Sequence, residues 1–233
     1  MPEIITGSFS QVPAPSPFVS ATAPLGLVNR VLNYIHGPTD TTLTDIAKEA
    51  VNDGVHRLNT RFWNWSIMAQ DITLVAGTRQ YAIATNFNAP RSAELVTTGN
   101  YPKATIRYLE ERVFLERLPN REASGDPDFY TVFSPWMNGL VTLDKDPTAA
   151  TIANYQKLRL HFYERLNLFS ADADTLFTIG NAPSDVEPFI VWHGRSIVAA
   201  HLAPDAADRA ERQAEFWWRA LITRDQKAAV ADY

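Results

Sequence analysis

The chain has 233 residues, 45% of them hydrophobic and 11% aromatic, and a net charge of -5. That is enough length for one large or two small domains with a real core, and the composition is that of a folded chain rather than a disordered one. The absence of cysteine excludes disulfides and thiolate metal sites, the acidic balance argues against a sequence-reading nucleic-acid binder, and no apolar run approaches the ~20 residues that cross a bilayer.

Residues 1–26 carry Pro2, Pro13, Pro15, Pro17 and Pro24. Proline fixes φ and removes an amide donor, so this stretch reads as an extended arm. No charged start followed by an apolar run marks a signal peptide, and the sequon Asn64-Trp65-Ser66 is a chance match. The arm keeps Ile4, Ile5, Phe9, Phe18 and Val19, which suits either docking on a neighbour or a frayed terminus. Leu27 to His36 is predicted as a short helix, stopped by Gly37-Pro38. Thr42-Leu43-Thr44-Asp45 is a capping-box signature, and Ile46, Ala50, Val51, Leu58 and Phe62 behind it recur at helical spacing. That helix is predicted to run to about Arg61. Gly54 inside it costs ~1 kcal/mol against Ala; it marks either close packing on another helix or a tolerated glycine.

From Trp65 the period changes to two. Ile72 and Leu74, the turn Ala76-Gly77-Thr78, and then Tyr81 and Ile83 give a β-hairpin pattern. Further strands are predicted at 92–98, 129–133, 139–143 and 157–163. In the last, Leu158, Leu160 and Phe162 face one way and Arg159, His161 and Tyr163 the other. A short helix over 108–118 interrupts the series. Helices return at Ser184-Asp185-Val186-Glu187, a second capping box. Pro204 opens the final helix in the favoured first position. Its seam is Ala207, Ala210, Ala214, Trp217 and Leu221, alternating three and four residues. Asp205 with Arg209, Asp208 with Arg212 and Glu215 with Arg219 are acid-before-base pairs at i,i+4, each contributing ~0.3–0.5 kcal/mol on an exposed face.

The expected fold is therefore α+β: a helical bundle of N- and C-terminal helices with an inserted antiparallel β-sandwich or barrel-like domain. The expected boundaries are an arm over 1–26, a bundle over 27–64 plus 184–233, and a β-rich insert over 65–183.

Little in the sequence looks like chemistry. There is no Walker loop, no Gly-x-Ser-x-Gly elbow and no His-Glu-x-x-His. His193 and His201 are eight residues apart, where a zinc pair needs one turn. Asp144-Lys145-Asp146 and Asp172-Ala173-Asp174 lack the glycine and distal glutamate of a calcium loop, so both read as solvated turns. Glu110 and Glu111 diverge in direction on a helix. No enzyme, metal or cofactor is expected. Trp63 and Trp65 at the helix-to-strand seam, and Trp217 and Trp218 on the last helix, suit either core or interface anchors.

The arrangement resembles the head-to-tail adaptor proteins of tailed bacteriophages. The resemblance rests on an ordered set of motifs from about Thr44 to Trp218: Leu58-Asn59-x-x-Phe62-Trp63, then Leu74-Val75-Ala76-Gly77-Thr78-x-x-Tyr81-x-Ile83, then Phe87, Gly125-Asp126-Pro127-x-x-Tyr130 and Leu158-x-Leu160-x-Phe162-Tyr163. The sequence departs from the pattern at Ala84-Thr85-Asn86, where such hairpins often run into Leu-Pro and an Asp. The resemblance implies a structural virion protein of the neck, assembled in the host cytoplasm. It implies a ring, usually of twelve subunits, that docks under the portal, extends the DNA channel and offers a surface to tail or neck proteins. Genomic DNA would pass through the lumen without sequence-specific binding, and no membrane is involved. An acidic wall suits this, because phosphate binding grows with each Lys or Arg contact.

The expected portal or inter-subunit contacts are Phe9, Phe18, Trp217, Trp218, Ile222, Arg224, Val230 and Tyr233, on the arm and the last helix. The alternative is a tail-associated β module that binds protein or carbohydrate through an aromatic platform of Tyr101, Tyr108, Phe129 or Tyr155.

Overall fold

A computed structural model describes residues 26–34, 41–97, 102–117, 123–133, 139–171 and 183–231, with the single positions 19, 99 and 174. The side chains of 103 and 228–231 lie outside that description. So do Phe9, Phe18 and Tyr233, nearly all of the predicted arm, and the side chain of Val230. The elements run α1 (Leu27–Leu32), α2 (Thr41–Asn59), a 3-10 turn (Asn64–Ser66), β1 (Ile67–Thr73), β2 (Gln80–Ala82), β3 (Phe87–Val96), β4 (Pro102–Tyr108), α3 (Glu111–Arg117), β5 (Phe129–Phe133), β6 (Leu140–Leu143), α4 (Ala149–Asn154), β7 (Lys157–Glu164), α5 (Val186–Leu202) and α6 (Pro204–Ala231). The class is α+β, with six helices and one seven-stranded mixed sheet among the described residues. The chain divides into two compact units, one from the described parts of Met1–Thr60 and Leu166–Ala231, the other Arg61–Arg165.

The first unit is helical. Val51, Val55 and Leu58 of α2, Phe189, Ile190 and Val198 of α5, and Ala210 and Leu221 of α6 are all buried. Their three- and four-residue spacing is what places them on inward faces. Two glycines let backbones approach. A Cβ on Gly194 would lie 2.8 Å from Val31 Cγ2, and one on Gly54 would lie 3.4 Å from the Ile190 Cα. Gly54 thus marks a helix crossing. The second capping box does not close. Asp185 is the N-cap but makes no side-chain cap bond; its carboxylate meets Arg224 at 3.0 Å, and Glu187 meets Arg30 at 2.9 Å. Salt bridges to other helices have taken both acids.

Asn52 and Asn59 share a face of α2, seven residues and two turns apart. Asn59 donates to the Leu166 carbonyl and accepts from its amide, both at 2.9 Å. Asn52 does the same at Phe169, at 3.1 and 2.9 Å. The two amides hold the extended 166–169 stretch along α2 as a neighbouring strand would, which gives Asn59 of the Leu58-Asn59 motif its role.

The second unit is the sheet, in the order β1-β7-β3-β4-β5-β6-β2. All its pairings are antiparallel except β4 with β5, so the sheet is mixed where an antiparallel one was expected. The crossover through α3 is long enough to return the chain in the same direction. The predicted hairpin is also revised. The turn is there, with Gly77 at φ 71, yet its arms pair elsewhere: β1 with β7 and β2 with β6. The two arms are the two ends of the sheet order, and the Gln70 side chain of β1 spans the seam. Its amide donates to the Ala82 carbonyl at 3.3 Å, and its carbonyl accepts from the Ala84 amide at 2.9 Å. The sheet is thereby nearly closed.

Alternation in β7 follows the sequence: Leu158, Leu160 and Phe162 are buried at 2% exposure or less. They join Phe87, Leu95, Ile106, Tyr130 and Leu143 in one apolar cluster, with Phe87 stacked on Phe162 at 5.3 Å. Asn86, in the departing Ala84-Thr85-Asn86 stretch, donates to Glu164 at 2.7 Å and anchors that turn. Tyr108 belongs to β4, not to the predicted helix, which begins at Glu111.

Candidate assembly surfaces

The longest surface element is α6. Ala210, Ala214 and Leu221 of the predicted seam are buried, and its small residues allow the close approach of α5. Trp218 fills the space they leave, 5.0 Å from the Phe189 ring. The Arg57 guanidinium lies over both rings, 5.0 Å from Trp218 and 5.7 Å from Phe189. Arg57 also reaches Glu215 at 3.5 Å, and Glu215 closes its predicted pair with Arg219 at 3.3 Å.

Trp217 and Trp218 therefore have different surroundings. Trp217 is half-buried, edge-on to Phe216 at 5.3 Å, with its indole N–H buried and unpartnered. Ile222 is half-buried and Arg224 exposed. These four residues lie along one helix but on several sides of it. Phe216 is the surface aromatic that sequence reasoning passed over, at 58% exposure the most open large apolar side chain described. The signal was available: 216 falls outside the 210, 214, 217, 221 rhythm, so a helical projection points it outward.

On the other flank of α5, Arg195 donates twice to the Arg30 carbonyl, at 3.1 and 2.8 Å, and lies over the Tyr34 and Trp192 rings. Burial, and then the charge of Arg30, pulls its pKa down from the usual guanidinium value. His193 bonds Asp53 at 2.7 Å and stacks on Phe189, while His201 is exposed.

In the sheet unit, the acids of Asp144-Lys145-Asp146 go to separate partners. Asp144 is 5% exposed, not solvated; its Oδ1 accepts from the amides of Asp128 and Phe129 at 3.0 and 3.1 Å. Asp146 pairs with Arg79 at 3.0 Å and Lys145 with Asp128. These bonds latch the Ser124–Asp128 stretch to the sheet, an ordinary task for charged groups that must not be left unpaired. Asp174 accepts from the amides of Ser170 and Ala171, which hold its carboxyl below the usual range. Among the described residues no group of three or more His, Asp or Glu could hold a metal ion, and no helix is long and apolar enough to cross a membrane.

Of the proposed aromatic platform, Tyr108 is 41% exposed and tilted over Tyr130 at 5.5 Å. Phe129 is half-buried, Tyr155 packs against the sheet core, and Tyr101 lies outside the described residues. A cavity of about 340 Å³ lies nearby, lined by Phe114, Leu115, Phe133, Arg79 and Thr142. The Thr142 hydroxyl is buried without a partner.

The described residues thus give an α+β protein with one helical unit and one nearly closed mixed sheet. Residues 23–232 match the family model described as SU10 adaptor protein, and the chain belongs to that family, a phage head-to-tail adaptor family. Among curated proteins none matches the chain.

Proposed function

We propose that this chain is a structural virion protein that works as a ring of about twelve copies, docked under the portal of the capsid. A ring needs head-to-tail contacts that close on themselves. The ring extends the DNA channel and gives the tail or neck its attachment surface. It sits in the neck of the particle and is assembled in the host cytoplasm. The family match across residues 23–232 carries this reading. The net charge of -5 supports a lumen that lets DNA pass without gripping it. Phe9, Phe18, Val230 and Tyr233 are assigned to the portal, on the arm and beyond the last turn of α6 whose side chains are described. Ile222 and Arg224 border that contact. Trp218, engaged by Phe189 and Arg57, supports α6 rather than a partner.

Removal of residues 228–233 tests the portal contact. Leu221 and Asp225 are 0% and 3% exposed, so a cut at residue 220 would damage the helical unit itself. The shorter truncation is expected to keep full helix content by circular dichroism and to lose attachment to portal-bearing heads. Attachment at the wild-type level would refute the assignment.

A further inference from the structure

Two exposed faces of the helical unit differ in charge. On α6, successive residues turn by about 100°. With Ala214 and Leu221 facing inward, Glu215 and Trp218 lie on one flank and meet Arg57 of α2. Phe216, Ala220, Thr223 and Lys227 recur at four, three and four residues, on the side away from α2. They form an open trough of about 460 Å³ whose walls also include Arg219, Arg224 and the Asp185 that pairs with Arg224. Its floor is small, its head is an exposed aromatic ring, and its rim carries the Arg224–Asp185 pair, the outer side of Arg219, which also meets Glu215, and the exposed Lys227.

The outer face of α2 is the opposite in charge. Asp45, Glu49 and Asp53 are all exposed and four residues apart, a single acidic stripe. Asp53 turns back to His193; Asp45 and Glu49 point outward. The stripe is about 12 Å long and the trough about 16 Å, at 1.5 Å per residue. Two different patches, the shorter one acidic and the longer one bearing cations, on two sides of one unit, are what a heterologous contact between identical subunits requires.

We infer that the α6 trough, from Phe216 to Lys227, receives the acidic α2 stripe of a second copy of this chain, Phe216 serving as the apolar anchor and Arg219 and Lys227 as the charge partners. An aromatic ring at a charged rim is a common centre of interface energy. The occupant is a second copy rather than the portal because a stripe of complementary charge, short enough to lie within the trough, is on this same chain. The inference rests on the ring reading above.

The cysteine-free chain allows a direct test. The full chain carrying Glu49→Cys and Thr223→Cys, both at exposed positions, is mixed with portal-bearing heads and oxidised. Particle mass reports whether copies have assembled, and a denaturing gel reports which faces met. The expected result is a covalent ladder of multimers from the double variant and monomer alone from each single variant. In parallel, Asp45→Lys with Glu49→Lys lowers assembly about tenfold, and adding Arg219→Glu with Lys227→Glu restores it. Assembly by mass without a ladder, or with charge reversals of no effect, overturns the contact and leaves the adaptor reading standing. A cross-link to the portal, or a dimer from a single variant, overturns it as well, in favour of portal docking or a symmetric contact. If no copies join the heads at all, the adaptor reading falls and this contact with it.

Discussion

In the sheet unit, polar groups at the margins find partners within the unit. Gln70 bridges the two terminal strands, Asp144 and Arg79 hold the Ser124–Asp128 stretch, and Asp71 is opposed by Arg159 across β1 and β7. A free strand edge is a template for unwanted pairing, and little edge is left. The helical unit is built differently. Its helices approach through Gly54, Gly194 and a seam of alanines, and buried ties hold the inner faces. Its outer faces carry Phe216 in the open, the cations Arg219, Arg224 and Lys227 beside Asp185, and an acidic stripe on α2. The sheet unit closes most of its strand edges on itself while leaving single apolar side chains such as Phe62 and Val75 open, and the helical unit gathers its exposed apolar and charged side chains along helix faces.

The strongest way to break this comparison is to open the sheet core. Phe87 is 2% exposed and stacked on Phe162. Phe87→Ala should cost about 4 kcal/mol, read as a lower urea midpoint, if the sheet's stability comes from that cluster. A loss under about 1 kcal/mol would mean the cluster is not what holds the sheet. The helical counterpart is a pair of glycines. Gly194→Ala places a methyl 2.8 Å from Val31 Cγ2 and should cost about 2 kcal/mol by overpacking. Gly54→Ala meets Ile190 at ordinary contact distance, while Ala regains about 1 kcal/mol of helix propensity; its net effect should be near zero. Equal losses at the two sites would show that backbone approach is not what sets the α1–α5 packing.

The two glycines also show what was legible beforehand. Gly54 is conspicuous inside a long helical pattern. Gly194 lies between His193 and Arg195, where nothing in sequence marks its neighbour Val31, because the contact spans more than 160 residues of chain. Alternation in β7 was readable, since one face is buried and the period is exact. The hairpin misled because the Ala76-Gly77 turn is real while register belongs to distant strands. β4 was missed although Ala104 and Ile106 alternate with Thr105 and Arg107; its opening Pro102 and the helical signal at 111–117 masked it. α4 was missed because six residues give too short a pattern, though Thr148 is its N-cap and accepts from the Thr151 amide. At the surface, Asp144 looked like a solvated turn because buried capping of a strand has no short motif. The family's motifs were legible as an ordered set; the pairing of opposite charges on α2 and α6 was not, because each is an ordinary solvated stripe until the fold places them on different sides.

A smaller effect sharpens the contrast at the sheet seam. Gln70→Ala removes the bridge between β1 and β2 and leaves the Ala84 amide without its acceptor. The bonds are partly exposed, so about 1 kcal/mol is expected. The clearer readout is hydrogen exchange, which should quicken at Ala84 and leave β3 and β7 unchanged. If exchange rises throughout the sheet, Gln70 holds more than the seam.

The smallest effect concerns Asp71. Its carboxyl accepts from Arg159 at 2.7 and 3.0 Å, with Lys157 at 3.6 Å. The Arg159 hydrogen bond, aided by the charges of Arg159 and Lys157, holds its pKa below the ordinary 3.8. A depressed carboxylate contributes stability that is fully present above the unfolded value and is lost as pH falls through the folded one. The window therefore opens at 3.8 and extends downward. Because the pair is solvent-exposed, Asp71→Asn should cost only about 0.3 kcal/mol at neutral pH. Below that window, wild type and variant should converge, since the protonated carboxyl no longer answers Arg159. A difference that persists into the acid limb would show that Asp71 acts through packing across β1 and β7 and not through its charge.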